Sequence, residues 1–572
     1  MNIDEYITHL RKHHHVLITV ENEELRVRAK KEDLSPEIVE RIRAKKEEIL
    51  SFFKAVHAGK KYLAIKKAPD QEYYPLSSAQ RRLYFLYELA EDVTAYNVPQ
   101  VIKIEGVLDR EKVVTAFNRL LERHETLRTV FVRREGIPYQ QISTGAVLDI
   151  QWRKATEGEV PAMINDFIRP FDLGKAPLMR IGVISLSPAS HVLIADMHHI
   201  ITDGVSQKIF IQDFIRFYKG EELPMLALQY RDYAEWQQSD EQQKAVEAME
   251  VFWLSEFADM PGVLELATDF SRPPIKSYEG GVVTIDLSKE ETAQLRKICE
   301  QQGVTMYMLL LAGYYVLLSR LSGQEDIVVG TPVAGREHAD LEQIIGMFVN
   351  SLALRCHPSG HLRFAAFLEQ VKEKVLTCVE QQNYPYEELI HKLKVDRDAS
   401  RNPLFDTMFS FDTADQHAIE LPGLTITPYR GIGRASKFDL SLLAYEQEDQ
   451  LYFEFEYAVK LFREESVERF AAGFRHLLLL IVADTSLPLS ALCLPLPPQL
   501  AAWCQGEQAE SLLADECRTF TVLFAEQAAR TPLQVAVKHN GQELTYQELY
   551  SLSEQIAFHL QQRGVVAGDR VA

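Results

Sequence analysis

From Tyr74 to Pro488, helical and strand patterns alternate without a low-complexity break or a short-period repeat. That alternation constrains the fold more than any other feature. It marks one main body built of both helices and strands, and the ordinary globular composition, 46% hydrophobic and 25% charged, excludes disorder, collagen and coiled coil. The most apolar stretch, Met306 to Leu318, is well short of the ~18 residues a membrane span requires and reads as a buried helix. With 62 Lys and Arg against 82 Asp and Glu, the formal net charge is −20 over 572 residues. A surface that acidic repels phosphate backbones and anionic lipid, so neither nucleic acid nor membrane is an expected partner. The length accommodates about three or four folding units. Acidic Asp4 and Glu5 stand where a basic-then-apolar leader would begin, so no export signal is expected. The cysteines (Cys299, Cys356, Cys378, Cys493, Cys504, Cys517) include no C-x-x-C pair. Scattered reduced thiols of a cytoplasmic protein are expected, with no disulfide framework and no metal site.

Residues 1–57 form a small separate unit. Ile3, Tyr6, Ile7 and Leu10 recur at helical spacing, Val16 to Val20 reads as a strand, and Glu21-Asn22-Glu23 as a turn. In Glu24 to Lys30, Leu25, Val27 and Ala29 face one way and Arg26, Arg28 and Lys30 the other. Ser35-Pro36 then opens a helix running to about Lys54. The unit holds eleven basic and eleven acidic side chains, so the whole negative charge lies downstream. The basic strand face suits either an acidic peptide added as a strand or a solvated edge protected by its charges. Residues 58–72 read as a linker, and a polar stretch from Ser239 to Ala248 divides the main body into parts at 73–245 and 246–488. Residues 489–517, rich in Pro, Ala, Glu and Gln, form a second linker before a last unit at 518–572.

The sharpest local motif is Met197-His198-His199-Ile200-Ile201-Thr202-Asp203-Gly204. The apolar run His191 to Met197 faces Ile181 to Leu186 across a Ser-Pro-Ala-Ser turn, and Val205 to Lys219 has a helical period stopped by Gly220. The motif therefore sits on a strand-to-helix loop, where free N–H groups at the helix start can stabilise an oxyanion. A histidine pair without a third ligand is poor zinc chemistry. Taken by itself, such a pair on a half-buried strand is more often structural than catalytic. His13-His14-His15 reads as a solvated helix end, and His124-Glu125 lacks the second histidine of H-E-x-x-H. No Ser or Cys occupies a G-x-S-x-G elbow, so any acyl transfer is expected to be direct.

His198-His199-x-x-x-Asp203-Gly204 resembles the active-site motif of condensation domains of nonribosomal peptide synthetases, and six further motifs of that family follow its order. They are Ser77-x-Ala79-Gln80-x-Arg82-Leu83-Tyr84, Arg123-His124-Glu125-x-Leu127-Arg128-Thr129-x-Phe131 and Tyr230-x-Asp232-Tyr233-Ala234-x-Trp236. Further on come Ile345-Gly346-x-Phe348-Val349-Asn350-Ser351 with Arg355, then Asn383-Tyr384-Pro385-Tyr386-Glu387, then Arg397-Asp398-x-Ser400-Arg401-Asn402-Pro403-Leu404. Residues 1–57 resemble the TubC-type docking domain. Phe520 to Ala572, with Leu544-Thr545-Tyr546-x-Glu548-Leu549, is similar to the opening of an adenylation domain.

The resemblance implies an α/β (α+β) fold: a two-lobed, V-shaped, chloramphenicol acetyltransferase-like condensation domain behind a helix/β-hairpin/helix docking domain. The implied reaction is peptide-bond formation, in which the amine of a carrier-bound aminoacyl thioester attacks a carrier-bound donor thioester. His199 is the implied catalytic side chain, with His198, Asp203 and Gly204 completing the motif, Arg336 as structural partner of Asp203, and Gly204 supplying conformational freedom and an N–H. Asn350, Arg355 and Arg82 are assigned to the tunnel or to substrate positioning. Arg26, Arg28 and Lys30 would bind the acidic C-terminal tail of an upstream subunit. No cofactor is expected on this chain, because the phosphopantetheine arms belong to donor and acceptor peptidyl carrier proteins. Ala95-Tyr96-Asn97-x-Pro99 and Gly204-Val205-Ser206 look more like sequences that accept an L-configured donor. Two alternatives stay open at this point: a silent carrier-docking scaffold, and a coenzyme A-dependent acyltransferase of the same fold.

Overall fold

Ser190–His198 is a central strand, apolar on both faces and buried along almost its whole length. Such a run belongs inside a covered sheet. The structure, a computed structural model, describes residues 17–21, 24–28, 41–42, 45–46, 65–89, 94–395, 398–413, 419–421, 423–429, 435–495, 520–539 and 542–564. Ser190–His198 lies in a six-stranded sheet ordered Ile419–Leu421, Leu424–Pro428, Asn97–Glu105, Ser190–His198, Met179–Ser187, Ile150–Lys154. Its neighbours Asn97–Glu105 and Met179–Ser187 are both antiparallel to it, with Val98 and Met179 opposite Met197. The helices Arg110–Arg123 and Gly204–Tyr218 cover the sheet and share its core.

The second six-stranded sheet runs Gly280–Asp286, Gln450–Ala458, Leu440–Gln447, Thr407–Thr413, Ile327–Val333, Asn350–Cys356. Its parallel centre, Leu440–Gln447 beside Thr407–Thr413 beside Ile327–Val333, requires crossover connections. The helix Met306–Ser322 is apolar all round because it is buried from Met308 to Ser319. Thr305 caps its first turn, and Gly323, at φ +72°, ends it in the left-handed conformation. Among the described residues no single helix is long and apolar enough to cross a membrane.

The division placed at 245/246 falls inside one continuous helix, Asp240–Glu256, capped by Ser239. The polar residues that suggested a boundary are its exposed face. The two sheets also exchange chain. Leu424–Pro428 crosses from the second half to pair with Asn97–Glu105, and Leu421, Leu424 and Ile426 enter the first sheet's core. Both linker assignments are too long at the body's edge. Ile65 and Ala68 are buried, with the Ala68 N–H donated to Asp232 Oδ1 at 2.8 Å. Leu489 and Leu492 are buried as well, and Leu489 donates its N–H to the Leu362 carbonyl at 2.7 Å.

Near the N-terminus, Leu17–Glu21 and Glu24–Arg28 form an antiparallel hairpin with Thr19 opposite Arg26 and Leu17 opposite Arg28. Lys30 and the flanking helices read from the sequence lie outside the described residues. The C-terminal unit is a helix, Phe520–Arg530, a hairpin, Val535–His539 with Gln542–Thr545, and a second helix, Tyr546–Gln562.

Candidate active site

The His198-to-Gly204 motif lies where the central strand ends and a single 3₁₀ turn, His199–Ile201, turns the chain into the helix Gly204–Tyr218. The His199 N–H is donated to the Tyr96 carbonyl at 2.8 Å, which fixes the backbone. Its side-chain Nδ1 lies 2.8 Å from the Thr202 carbonyl. A carbonyl oxygen only accepts, so Nδ1 carries the proton and Nε2 keeps its lone pair. Burial, reinforced by the Lys437 cation, pushes the His199 imidazolium down to about 3, so the ring is neutral at physiological pH.

His198 has the opposite arrangement. Its Nδ1 accepts the Ile200 N–H at 3.1 Å, and its ring meets Phe171 edge-on with centroids 6.2 Å apart. Burial, aided by the Lys437 and Arg180 cations, holds it down to about 3. It packs and shapes the turn. Behind it, Asn97 Nδ2 and Arg180 Nη1 donate to Asp196 Oδ2 at 2.8 and 3.2 Å, and the Arg180 guanidinium lies 3.6 Å from the Phe171 ring centre. None of this support was legible beforehand.

Asp203 is buried and fully engaged. It caps the helix by accepting the Ser206 N–H at 2.7 Å, and it accepts the Phe348 N–H at 3.0 Å. Arg336 Nη2 donates to Oδ1 at 3.0 Å and to Oδ2 at 3.3 Å. The same guanidinium donates to the carbonyls of Leu341 and Ile344 at 2.8 and 2.7 Å and stacks over the Phe348 ring. One ion pair thus fastens the His198-to-Gly204 loop to residues 336–348 of the other half. Gly335 permits the turn: its φ is +64°, and a Cβ there would meet the Phe348 carbonyl at 2.1 Å.

Other motifs converge on that loop. Tyr230 Oη lies 2.7 Å from Ser77 Oγ and bonds the Met347 carbonyl, Thr126 Oγ1 donates to the Ile345 carbonyl at 2.8 Å, and Gly346 lies flat against the Tyr230 ring. Arg123 and His124 share Asp213 Oδ2 at 2.9 and 2.8 Å.

Gly204 departs from expectation. Its φ is not positive, and a Cβ built on it would meet nothing within 4 Å, so it supplies no unusual conformation. It leaves open space at the first residue of a helix, where the N–H groups of Gly204 and Val205 find no backbone partner among the described residues.

Asn350 and Arg355, assigned to the tunnel or to substrate positioning, each tie their strand to neighbouring loops. Asn350 Nδ2 donates to the carbonyls of Gln382 and Tyr384 at 2.8 and 2.7 Å, and its Oδ1 accepts the Tyr386 N–H. Its amide is consumed in holding that loop. Arg355 is occupied by Asp326, at 2.9 and 2.8 Å, and by the carbonyl and carboxylate of Asp259. These bonds raise its already high pKa. The resemblance assigned both residues to the tunnel or to substrate positioning, and the hydrogen bonds they make here go to partners from loops far away in sequence. Arg82, on the helix Ser78–Leu89 that packs against the His199 turn, makes no hydrogen bond among the described residues. Lys437, missed in the sequence, lies with its ammonium 5.2 Å from the Tyr96 ring centre. Among the described residues no cluster of His, Cys, Asp and Glu can hold a metal ion.

The family model of the condensation domain matches residues 70–499, that of the TubC N-terminal docking domain residues 3–55, and that of the AMP-binding enzyme residues 524–572. The chain is 43% identical to tyrocidine synthase 3 of Brevibacillus parabrevis over 90% of its own length and 8% of that protein's. It is equally identical to gramicidin S synthase 2 of Brevibacillus brevis, over 88% of this chain and 11% of that one. The chain therefore spans about a tenth of these curated relatives. Among solved structures, the X-domain from teicoplanin biosynthesis in complex with OxyB superposes with a TM-score of 0.71 at 26% identity, covering 76% of this chain and 99% of that one. The condensation domain of the monacolin K polyketide synthase shares the fold, with a TM-score of 0.68 at 19% identity over 74% of this chain and 100% of that one. With three-quarters of its length matched by one family model and its middle folded as these structures are, the chain belongs to the condensation-domain family, preceded by a TubC N-terminal docking domain and followed by the start of an AMP-binding enzyme.

Proposed function

We propose that this chain forms a peptide bond between two carrier-bound substrates, and the observation that carries this reading is His199. A neutral imidazole with Nδ1–H tied to the Thr202 carbonyl presents the Nε2 lone pair beside a helix start that lacks a side chain at Gly204. In the reaction the acceptor α-amine attacks the donor thioester carbonyl. A C–N bond forms, the C–S bond breaks, and the amine's proton passes to the departing thiolate, which leaves as the carrier's free thiol. Nε2 accepts a hydrogen bond from the attacking amine and orients it. The N–H groups of Gly204 and Val205, at the positive end of their helix, face the oxygen where charge develops.

With its pKa at about 3, His199 is too weak a base to store a proton at neutral pH. Its contribution is mainly orientation. General-base catalysis is worth ~10²–10⁴-fold, whereas aligned tethered reactants reach effective molarities of ~10⁵–10⁸ M.

The partners in this reading are donor and acceptor peptidyl carrier proteins, whose phosphopantetheine arms deliver the substrates, so this chain binds no cofactor of its own. The basic register of Arg26 and Arg28, continued in sequence by Lys30, suits the acidic tail of a preceding subunit added as a strand to the hairpin. An L-configured donor remains part of the proposal, as does a cytoplasmic setting. The experiment is intact-mass detection of amide on the acceptor carrier after mixing donor-loaded and acceptor-loaded carriers with the chain. Amide in its presence alone supports the reading, and none with several donors refutes it.

A further inference from the structure

Near His199, Lys437 has its ammonium over the Tyr96 ring but makes no hydrogen bond or ion pair among the described residues. Lys437 precedes the strand Leu440–Gln447, in a segment fixed from both sides: Lys276 Nζ and Asn402 Nδ2 donate to the Lys437 carbonyl at 2.7 and 3.0 Å, and Arg272 pairs with Asp439. The Lys437 ammonium lies 5.2 Å from the centre of the Tyr96 ring, and the Tyr96 carbonyl is the group that accepts the His199 N–H at 2.8 Å. Lys437 is half-buried, and among the described residues its Nζ makes no hydrogen bond and no ion pair. A partly buried ammonium without a hydrogen-bonding or ion-pair partner is costly, which makes its position a feature to explain.

The charged and titratable groups around it come from five elements. Arg82 approaches from the helix Ser78–Leu89 and also lacks a hydrogen bond among the described residues. His198 and His199 approach from the catalytic turn, both neutral. Tyr96 and Tyr278 present phenols that burial raises above their ordinary range, so they carry no charge. Lys276 sits behind the segment. Glu456, on the strand Gln450–Ala458, is the carboxylate that acts on Lys437, and it is weaker than burial, which brings the ammonium down to about 8.

We propose that Lys437, together with Arg82, acts as a charge filter on the nucleophile, making the space beside His199 unfavourable for an ammonium so that the incoming aminoacyl group resides there as its free amine. This rests on the amide-forming reading above. An α-amine has an ordinary pKa of about 7.7–8.0, so in water at neutral pH most of it is protonated and cannot attack. A like charge that acts on His199 itself disfavours an ammonium in the same partly desolvated space, by about one pH unit or more. Lys437, half-charged near pH 8, is mostly charged at and below neutral pH, where the amine would otherwise be mostly protonated, so the filter operates there. The same field keeps the Nε2 lone pair of His199 free. Lys437 is a positioning residue in this scheme, acting through the protonation state of the amine rather than on the reacting carbonyl.

The test is the single-turnover rate of amide formation from pH 5.5 to 8.5 at saturating loaded carriers, for the unmodified chain, Lys437→Gln and Lys437→Arg. Lys437→Gln is expected to move the acid limb upward by about one pH unit, a loss of about tenfold at pH 6 that vanishes near pH 8.5, while Lys437→Arg keeps the original profile. With an α-hydroxyacyl acceptor, which has no amine to titrate, the unmodified chain and Lys437→Gln should share one profile. Coincident acid limbs with the amine acceptor overturn the proposal. So does a loss that is equal at every pH, which assigns Lys437 to scaffolding, or an equal shift with the hydroxyacyl acceptor, which assigns the limb to His199. Absence of amide from the unmodified chain overturns the functional reading itself, and the filter with it.

Discussion

Asp203→Asn separates a structural carboxylate from a chemical one. Asp203 and Arg336 have side chains only 0% and 5% exposed, and their oxygen and nitrogen lie 3.0 Å apart. Removing the negative charge leaves the Arg336 guanidinium buried beside a neutral amide, with two carbonyls and the Ser206 hydroxyl as its other partners. Breaking one side of a buried pair costs about 3–5 kcal/mol; because Asn can still accept from Ser206 N–H or Phe348 N–H, the lower end, about 3 kcal/mol, is expected here. Arg336→Met should cost a similar amount by leaving Asp203 without its cation. The double variant removes both charges, and a buried pair replaced by groups of similar volume is often near neutral. Its destabilisation should therefore be well below the sum, giving a coupling energy of about 3 kcal/mol. Urea unfolding followed by tryptophan fluorescence reads this, since Trp152, Trp236 and Trp253 all lie within the two-sheet body. Amide formation should fall in proportion to disorder of the 336–348 loop and recover partly in the double variant. Asp203→Asn with unchanged stability and abolished activity would refute the argument and make Asp203 a participant in the chemistry.

Gly204→Ala meets no atom within 4 Å and needs no unusual φ. Its unfolding midpoint should stay within about 1 kcal/mol of the original, while the single-turnover rate falls by at least about tenfold because the methyl group occupies the space left for substrate. His198 gives a pH signature. Its folded pKa of about 3 lies below the ordinary value of 6.5, so the unfolded chain takes up the extra proton and stability falls as pH drops from about 6.5 towards 3. Comparing urea midpoints at pH 7 and 5, His198→Asn should remove up to about 1.4 kcal/mol per pH unit of that decline; equal slopes would contradict the burial argument. At the hairpin, Arg26→Glu with Arg28→Glu should weaken binding of an acidic peptide at least about tenfold and reduce its salt dependence, measured by calorimetry. Unchanged affinity would move the docking face elsewhere.

The strand, turn and helix around His199 were legible because each leaves a local signal: an apolar run, a helical period and a glycine stop at Gly220, whose φ is +83°. The partner of Asp203 was accessible through the resemblance alone, since nothing in residues 197–204 indicates which arginine faces them. The crossing strand Leu424–Pro428 carries no pattern of its own over five residues, and only its pairing with Asn97–Glu105 gives it meaning. For Asn350 and Arg355 the resemblance offers a place at the tunnel, whereas the remote carbonyls and carboxylates they bond are set by tertiary contacts that no local pattern announces. Lys437 is hidden in the opposite way. It looks like an ordinary charge before a strand, and only folding sets it against Tyr96.

The central claim is that His199 orients an amine for direct attack and does so without a covalent acyl-enzyme. The most direct measurement is the time course, by intact mass, of amide on the acceptor carrier with the unmodified chain and with His199→Ala, both carriers loaded and both shown to bind. The account predicts amide from the unmodified chain and no acylated chain at any time, with His199→Ala slower by about 10²–10³-fold yet above the uncatalysed rate, because tethering and the helix N-terminus survive. Undiminished amide formation by His199→Ala, or an acyl adduct on the chain itself, would contradict it.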